Sequence, residues 1–245
     1  MVMEYAVGRA SQRSIARSFD ELEPPGTKWH WHKAAGMAGN YLLMMFYTTI
    51  AGWLLLYLLK TAAGGFEGLN TEGVPAVFND MLAQPVPMSL AMTAVVVLCF
   101  GICSCGLRNG VERVTKWMML CLLAIMAVLA VRACFLPHAA DGLRFYLYPD
   151  FERLAENGLF NAIFDAMGQA FFTLSVGIGS IAVFGSYIGR KYTLAGEAVR
   201  VTLLDTGVAL TAGLIIFPAC FAYGISPDSG PNLLFVTLPN VFLSM

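Results

Sequence analysis

One apolar run in this chain is interrupted in its own middle. From Asn161 to Ile188 the sequence is long and apolar enough to cross a bilayer, which takes about 20 residues. Yet Gln169, Thr173 and Ser175 sit near its centre and are followed by Gly177 and Gly179. A glycine weakens a helix by about 1 kcal/mol relative to alanine. In lipid, non-helical backbone survives only where protein buries it or where it lines a cavity. The pattern therefore fits a membrane helix that breaks, with hydroxyls beside the break to hold something polar. It also fits an unbroken helix whose glycines let a neighbour pack closely.

Composition settles the medium. The 245 residues are 58% hydrophobic and 13% charged, with mean hydropathy +0.67, where soluble proteins carry roughly 25% charge. The chain reads as an all-α integral membrane protein with the lipid bilayer as a partner. A formal charge of -1 and the lack of a basic patch interleaved with aromatics point away from nucleic acid. The six cysteines lie in or beside apolar runs and read as buried small hydrophobes, and Cys103-Ser-Cys105 lacks zinc-site spacing. No cleavable signal peptide is expected, because Arg9 and Arg13 follow too short an apolar start. No nucleophile elbow, His-Glu-x-x-His or phosphate loop appears, and His30, His32 and His138 fall in loops. An enzyme is not expected.

Five complete transmembrane helices are predicted, at about 34–63, 88–106, 117–136, 161–188 and 194–224, within a single domain. Residues 1–8 read as the tail of a further apolar helix. Loops are expected at 9–33, 64–87, 137–160 and 225–245, the third containing a short helix lying at the surface. Of the 15 Lys and Arg residues, eleven fall in 9–33, 108–116 and 190–200. The positive-inside bias then places 9–33 in the cytoplasm and the other three loops outside. Trp29-His-Trp-His32 invites a metal reading, but without a nearby His or Cys it reads as an interfacial aromatic anchor.

Asp205 is the second polar signal. A carboxylate at the centre of a membrane helix costs about 3 kcal/mol on insertion scales, so it normally faces a partner or cavity. Either Arg200 neutralises it near the headgroups, or it binds a cation together with Thr173 and unwound backbone carbonyls. Hard cations such as sodium want oxygen ligands, and oxygens are what this region offers. Tyr47, inside the first span, needs a hydrogen-bond partner for its hydroxyl. Phe171 and Phe172 beside the break serve equally as core or gate. Gln169 could donate to an anion, to Asp205 or across a helix interface.

These residues carry a resemblance. Gly168-Gln-Ala-Phe-Phe-Thr-Leu-Ser-Val-Gly-Ile-Gly179 with Gly185-Ser-Tyr187 resembles the sixth helix of the neurotransmitter:sodium symporter family. Tyr47-Thr-Thr-Ile-Ala-Gly-Trp53 resembles its third helix, and Met3-Glu-Tyr-Ala-Val-Gly-Arg9 the end of its second. Phe145-Tyr-Leu-Tyr-Pro-Asp150 resembles the third external loop, and Leu233-Leu-Phe-Val-Thr-Leu-Pro239 the start of the fourth. The resemblance covers essentially the whole chain. It implies part of an inverted-repeat transporter fold with a midplane site, in a bacterial cytoplasmic membrane. The implied activity is sodium-coupled symport of an amino acid, hydrophobic or aromatic.

Carried over residue by residue, the resemblance has Tyr47 bond the substrate carboxylate and Leu43 touch its side chain. Phe172 lids the site, Thr173 binds sodium, and Ser175 and Ile178 line the side-chain pocket. With Gly213 as anchor, Asp205 aligns with the sodium-site asparagine of many members; anchoring on Pro218 would put Leu204 there, which has no oxygen to offer. A fixed charge at Asp205 implies coupling without chloride. Ile178 stands where some relatives carry an aromatic, leaving substrate size open. The family's broken first helix, with its Asn-x-Trp-Arg-Phe-Pro signature, is absent. The chain is therefore expected to be an incomplete piece that does not transport alone. The rival expectation is a truncated, non-transporting membrane protein that associates with an intact transporter. Association between copies of the chain is left open.

Overall fold

A computed structural model describes residues 1–66, 73–106, 110–152, 154, 158–222, 224, 235, 238 and 239. Among them there are helices and turns and no strand. In chain order the helices are α1 (Val2–Ser11), α2 (Ile15–Leu22), α3 (His32–Ala62, entered through a 3-10 turn at Trp29–Trp31), α4 (Gly73–Leu82) and α5 (Pro85–Ser104). They continue with α6 (Glu112–Cys134), α7 (Ala139–Leu147), α8 (Leu159–Thr173), α9 (Ser180–Tyr187) and α10 (Leu194–Ala222). Four of these, α3, α5, α6 and α10, are each long and apolar enough to cross a membrane. The interrupted run becomes two helices, α8 and α9.

The chain forms two compact units, residues 1–45 with 150–207 and residues 46–149 with 208–245. In the first unit α1 lies directly against α9. A Cβ on Gly8 would land on the Ala182 carbonyl, and one on Gly185 would come within 2.6 Å of the Tyr5 carbonyl oxygen. This is close packing through small residues, the membrane counterpart of an apolar seam. Tyr5, Ile181 and Ala198 are buried together beside it.

The stretch 9–33, expected as a loop, contains the end of α1 and all of α2. The buried Ser11 hydroxyl donates to Ser18 Oγ at 3.0 Å, and Ser18 donates to the Ser14 carbonyl at 2.9 Å. Pro24 explains where α2 stops, since it pushes Glu23 into extended backbone (φ -70, ψ 138). The Trp-His-Trp-His motif is tied to the end of α2 through its histidines. His30 meets Glu23 at 2.9 Å, Phe19 takes His32 edge-on, and Lys33 donates to Asp20 at 3.0 Å. Trp29 and Trp31 remain exposed.

In the second unit the 64–87 stretch contains a short helix. Val74, Phe78 and Met81 recur at helical spacing and form α4, which buries them with Tyr57, Phe66 and Phe235. The Tyr57 hydroxyl donates to the Phe235 carbonyl at 2.8 Å. In the 137–160 stretch α7 packs on α10 of this unit, where Tyr146 stacks on Phe217 at 4.8 Å and Gly142 faces Pro218. Of the cysteines, Cys220 is buried and the other five are exposed on this chain. Their apolar helices leave them facing outward rather than in a core. Glu67, Glu72, Arg108, Arg153 and most of 225–245 lie outside the described residues.

Where backbones touch, a methyl has nowhere to go. A Cβ at Gly142 would sit 2.6 Å from Pro218 Cα, whereas Gly101 faces open space. Gly142→Ala and Gly185→Ala should each destabilise the fold by about 1–3 kcal/mol. Gly101→Ala should be neutral or slightly stabilising. Melting midpoints of the purified protein in detergent compare the three.

Candidate functional site

The break is built by backbone rules. α8 ends at Thr173, and Ser175 turns into the left-handed region at φ 51. The Ser175 amide donates to the Phe172 carbonyl at 3.1 Å and the Val176 amide to that of Phe171 at 3.0 Å. This double closure normally takes glycine at the left-handed position; here a serine holds it, at about 1–2 kcal/mol of strain. Gly177 (φ 99) and Gly179 (φ 75) supply the remaining positive-φ steps before α9 begins. At its start the Ala182 amide donates to the Gly179 carbonyl, and Ser180 Oγ reaches back to the Ser175 carbonyl at 3.3 Å.

Two side chains from other helices of the first unit hold adjacent peptides of the break. The Gly177 amide donates to Glu4 Oε1 at 2.6 Å, and Asn40 Nδ2 donates to the Ile178 carbonyl at 2.8 Å. Among the described residues the second Glu4 oxygen is buried without a hydrogen-bond partner. Neither residue was singled out from the sequence. Glu4 carried the same signal as Asp205, an acid in an apolar stretch. Asn40 carried a fainter one, an amide directly after Gly36-x-x-Gly39 in an apolar helix.

At the α8 side of the break Thr173 meets Asp205 of α10. The threonine hydroxyl donates to the carboxylate, at 3.1 Å from Oδ2 and 3.3 Å from Oδ1. Arg200, the alternative partner, donates instead to Glu197 Oε1 at 2.6 Å. Leu204 is 69% exposed and has no part in the pair. Three oxygens thus converge beside unwound backbone, the donor chemistry a hard monovalent cation takes. Among the described residues no group of three or more His, Cys, Asp or Glu side chains gathers in the manner of a transition-metal site.

The other expected residues divide. Ser175 and Ile178 lie in the break, half-buried, and Leu43 is half-buried on α3 within the first unit. Phe171 and Phe172 are about half exposed at the end of α8. Gln169 is exposed and makes no hydrogen bond to Asp205 among the described residues. Tyr47 belongs to the second unit, where its ring meets Phe46 edge-on at 5.8 Å.

Known proteins are similar to this chain. The sequence model of the sodium:neurotransmitter symporter family matches residues 76–244. The sodium-dependent transporter YhdH of Bacillus subtilis is 35% identical over 242 residues, covering 99% of this chain and 52% of that protein. The human sodium- and chloride-dependent taurine transporter is 29% identical over 166 residues, 64% of this chain and 26% of its own. Among solved structures, the crystal structure of MhsT in complex with L-phenylalanine superposes with a TM-score of 0.87 at 37% identity. It is matched over 100% of this chain and 54% of its own. The chain spans about half the length of the relatives it matches most fully.

The Glu4 bond is charge-assisted and worth about 1.5–3 kcal/mol. Replacing Glu4 by leucine should therefore speed hydrogen exchange at the Gly177 amide by about tenfold or more. Peptide-level exchange followed by mass spectrometry reads this directly, and Glu4→Gln, which keeps one acceptor, should fall between.

Proposed function

The chain belongs to the sodium:neurotransmitter symporter family, and we propose that it forms the central piece of a sodium-coupled symporter for a hydrophobic or aromatic amino acid. In this reading it runs from the end of the family's second helix to the start of the fourth external loop, in a bacterial cytoplasmic membrane with residues 9–33 inside. The observation that carries the proposal is the Thr173–Asp205 pair beside a helix break. The likeness to a structure determined with L-phenylalanine bound supports the substrate class.

The proposed division of labour follows from chemistry. Sodium would take its place between the Asp205 carboxylate and the Thr173 oxygen, the hydroxyl proton turning away so that a lone pair faces the ion. Tyr47 would donate its hydroxyl proton to the substrate carboxylate. Leu43, Ser175 and Ile178 would line the side-chain pocket, Phe172 would cover it, and Gln169 would support the break from α8. Alternating exposure of this site to the two sides then couples the sodium gradient to the amino acid. Because the relatives are about twice as long, the activity is assigned to a protein containing this chain, and the 245 residues by themselves are proposed not to transport.

Asp205 also bears on the anion. A unit negative charge about 4 Å from sodium contributes about 4 kcal/mol at an effective dielectric near 20. A chloride ion at a similar distance would supply much the same, so a fixed carboxylate makes it unnecessary.

Uptake of labelled L-phenylalanine into proteoliposomes containing the full-length protein tests the sodium assignment. Asp205→Ala and Thr173→Ala should each raise the sodium concentration for half-maximal uptake by tenfold or more. Unchanged sodium dependence in both would overturn it. The anion arm uses the same vesicles. The unsubstituted protein should run equally well in gluconate and chloride, and Asp205→Asn should acquire stimulation by chloride. A chloride requirement in the unsubstituted protein contradicts the role given to Asp205.

A further inference from the structure

Ile178 sits between Gly177 and Gly179, both at positive φ, so its flanking residues leave its position poorly determined. Something outside the segment must fix it. Asn40 Nδ2 donates at once to the Ile178 carbonyl at 2.8 Å and to the Gly36 carbonyl of its own helix at 2.7 Å. Both partners are acceptors, which fixes the orientation of the amide and makes the side chain a rigid strut between α3 and the break. The surface of α3 is flat at this point. A Cβ on Gly36 would sit 3.4 Å from the Ile178 oxygen, and one on Gly39 would sit 3.2 Å from Ile178 Cγ2. With its carbonyl held and its Cγ2 seated on Gly39, a β-branched side chain with a stiff χ1 has one place to point.

We propose that Asn40 is a positioning residue for substrate selection. By holding the Ile178 carbonyl it sets how far the Ile178 side chain reaches into the amino-acid pocket, and so the size of side chain accepted. This rests on the symport reading above; Asn40 itself touches no substrate. Thr173 and Asp205 are reached through other elements, so the sodium site is expected to be insensitive to Asn40. The separation matters, because a general loosening of the break would move both.

The test compares L-phenylalanine with L-leucine, using the full-length protein in proteoliposomes. Asn40→Leu keeps the bulk and removes the donor, and Asn40→Ala removes both. Losing one well-placed hydrogen bond should shift the ratio of kcat/KM for the two amino acids by about 5- to 10-fold, with half-maximal sodium unchanged. Gly39→Ala, which pushes Ile178 by its methyl, should move the ratio toward L-leucine. An unchanged ratio in Asn40→Leu, or equal losses for both substrates together with altered sodium dependence, overturns the proposal. Hydrogen exchange across residues 176–180 gives a readout independent of transport. It should quicken in Asn40→Leu, and no change there means that Asn40 does not hold the break. If the unsubstituted protein takes up neither amino acid, the symport reading fails and selection fails with it. Quickened exchange would then leave the strut alone standing.

Discussion

A peptide group stripped of its helical partner has no water to turn to inside a membrane, and the break between α8 and α9 is organised around that fact. An unsatisfied backbone group in hydrocarbon costs several kcal/mol, so a gap of six residues between two helices is tolerable only if its donors and acceptors are met. The segment meets several itself, through the paired closure onto Phe171 and Phe172 and the return of Ser180 to Ser175. Glu4 and Asn40 meet two more from α1 and α3. The close seam of α1 on α9, with glycines where side chains would collide, is what brings Glu4 within reach. Packing and satisfaction are one problem here, solved by the same helices.

The break in turn creates the polar environment it needs. α8 stops at Thr173, which leaves that hydroxyl at a helix end rather than bonded back into its own turn, and there it faces Asp205. A carboxylate in this setting is stabilised by a hydroxyl, with the nearby Arg200 engaged elsewhere by Glu197. An acid neutralised by arginine would be a structural pair; an acid facing a threonine is available to a cation.

Much of this was legible in the residues because apolar runs long enough to span a bilayer are an unambiguous signal, and because Gln169, Thr173, Ser175, Gly177 and Gly179 violate one such run. Asp205 stood out for the same reason. What escaped was local in another way. α4 is short, and its buried face shows only three apolar residues at helical spacing, so a stretch without basic residues read as a loop. α2 was masked by its charge, though its Ser18 makes a buried polar contact with Ser11 of α1 rather than a solvated face. Glu4 and Asn40 escaped because their partners are backbone groups more than 130 residues away, and a peptide amide leaves no mark in the sequence.

The manner in which Ile178 is held bears on how such a protein can change over generations. Asn40 grips the main-chain oxygen, a group every amino acid possesses, so the grip is indifferent to what side chain position 178 carries. Under the proposed symport reading, exchanging isoleucine there for a smaller or an aromatic residue would reshape the pocket while leaving the tie itself in place. In that reading the frame and the selector are separated, and new diets would open to the lineage one substitution at a time.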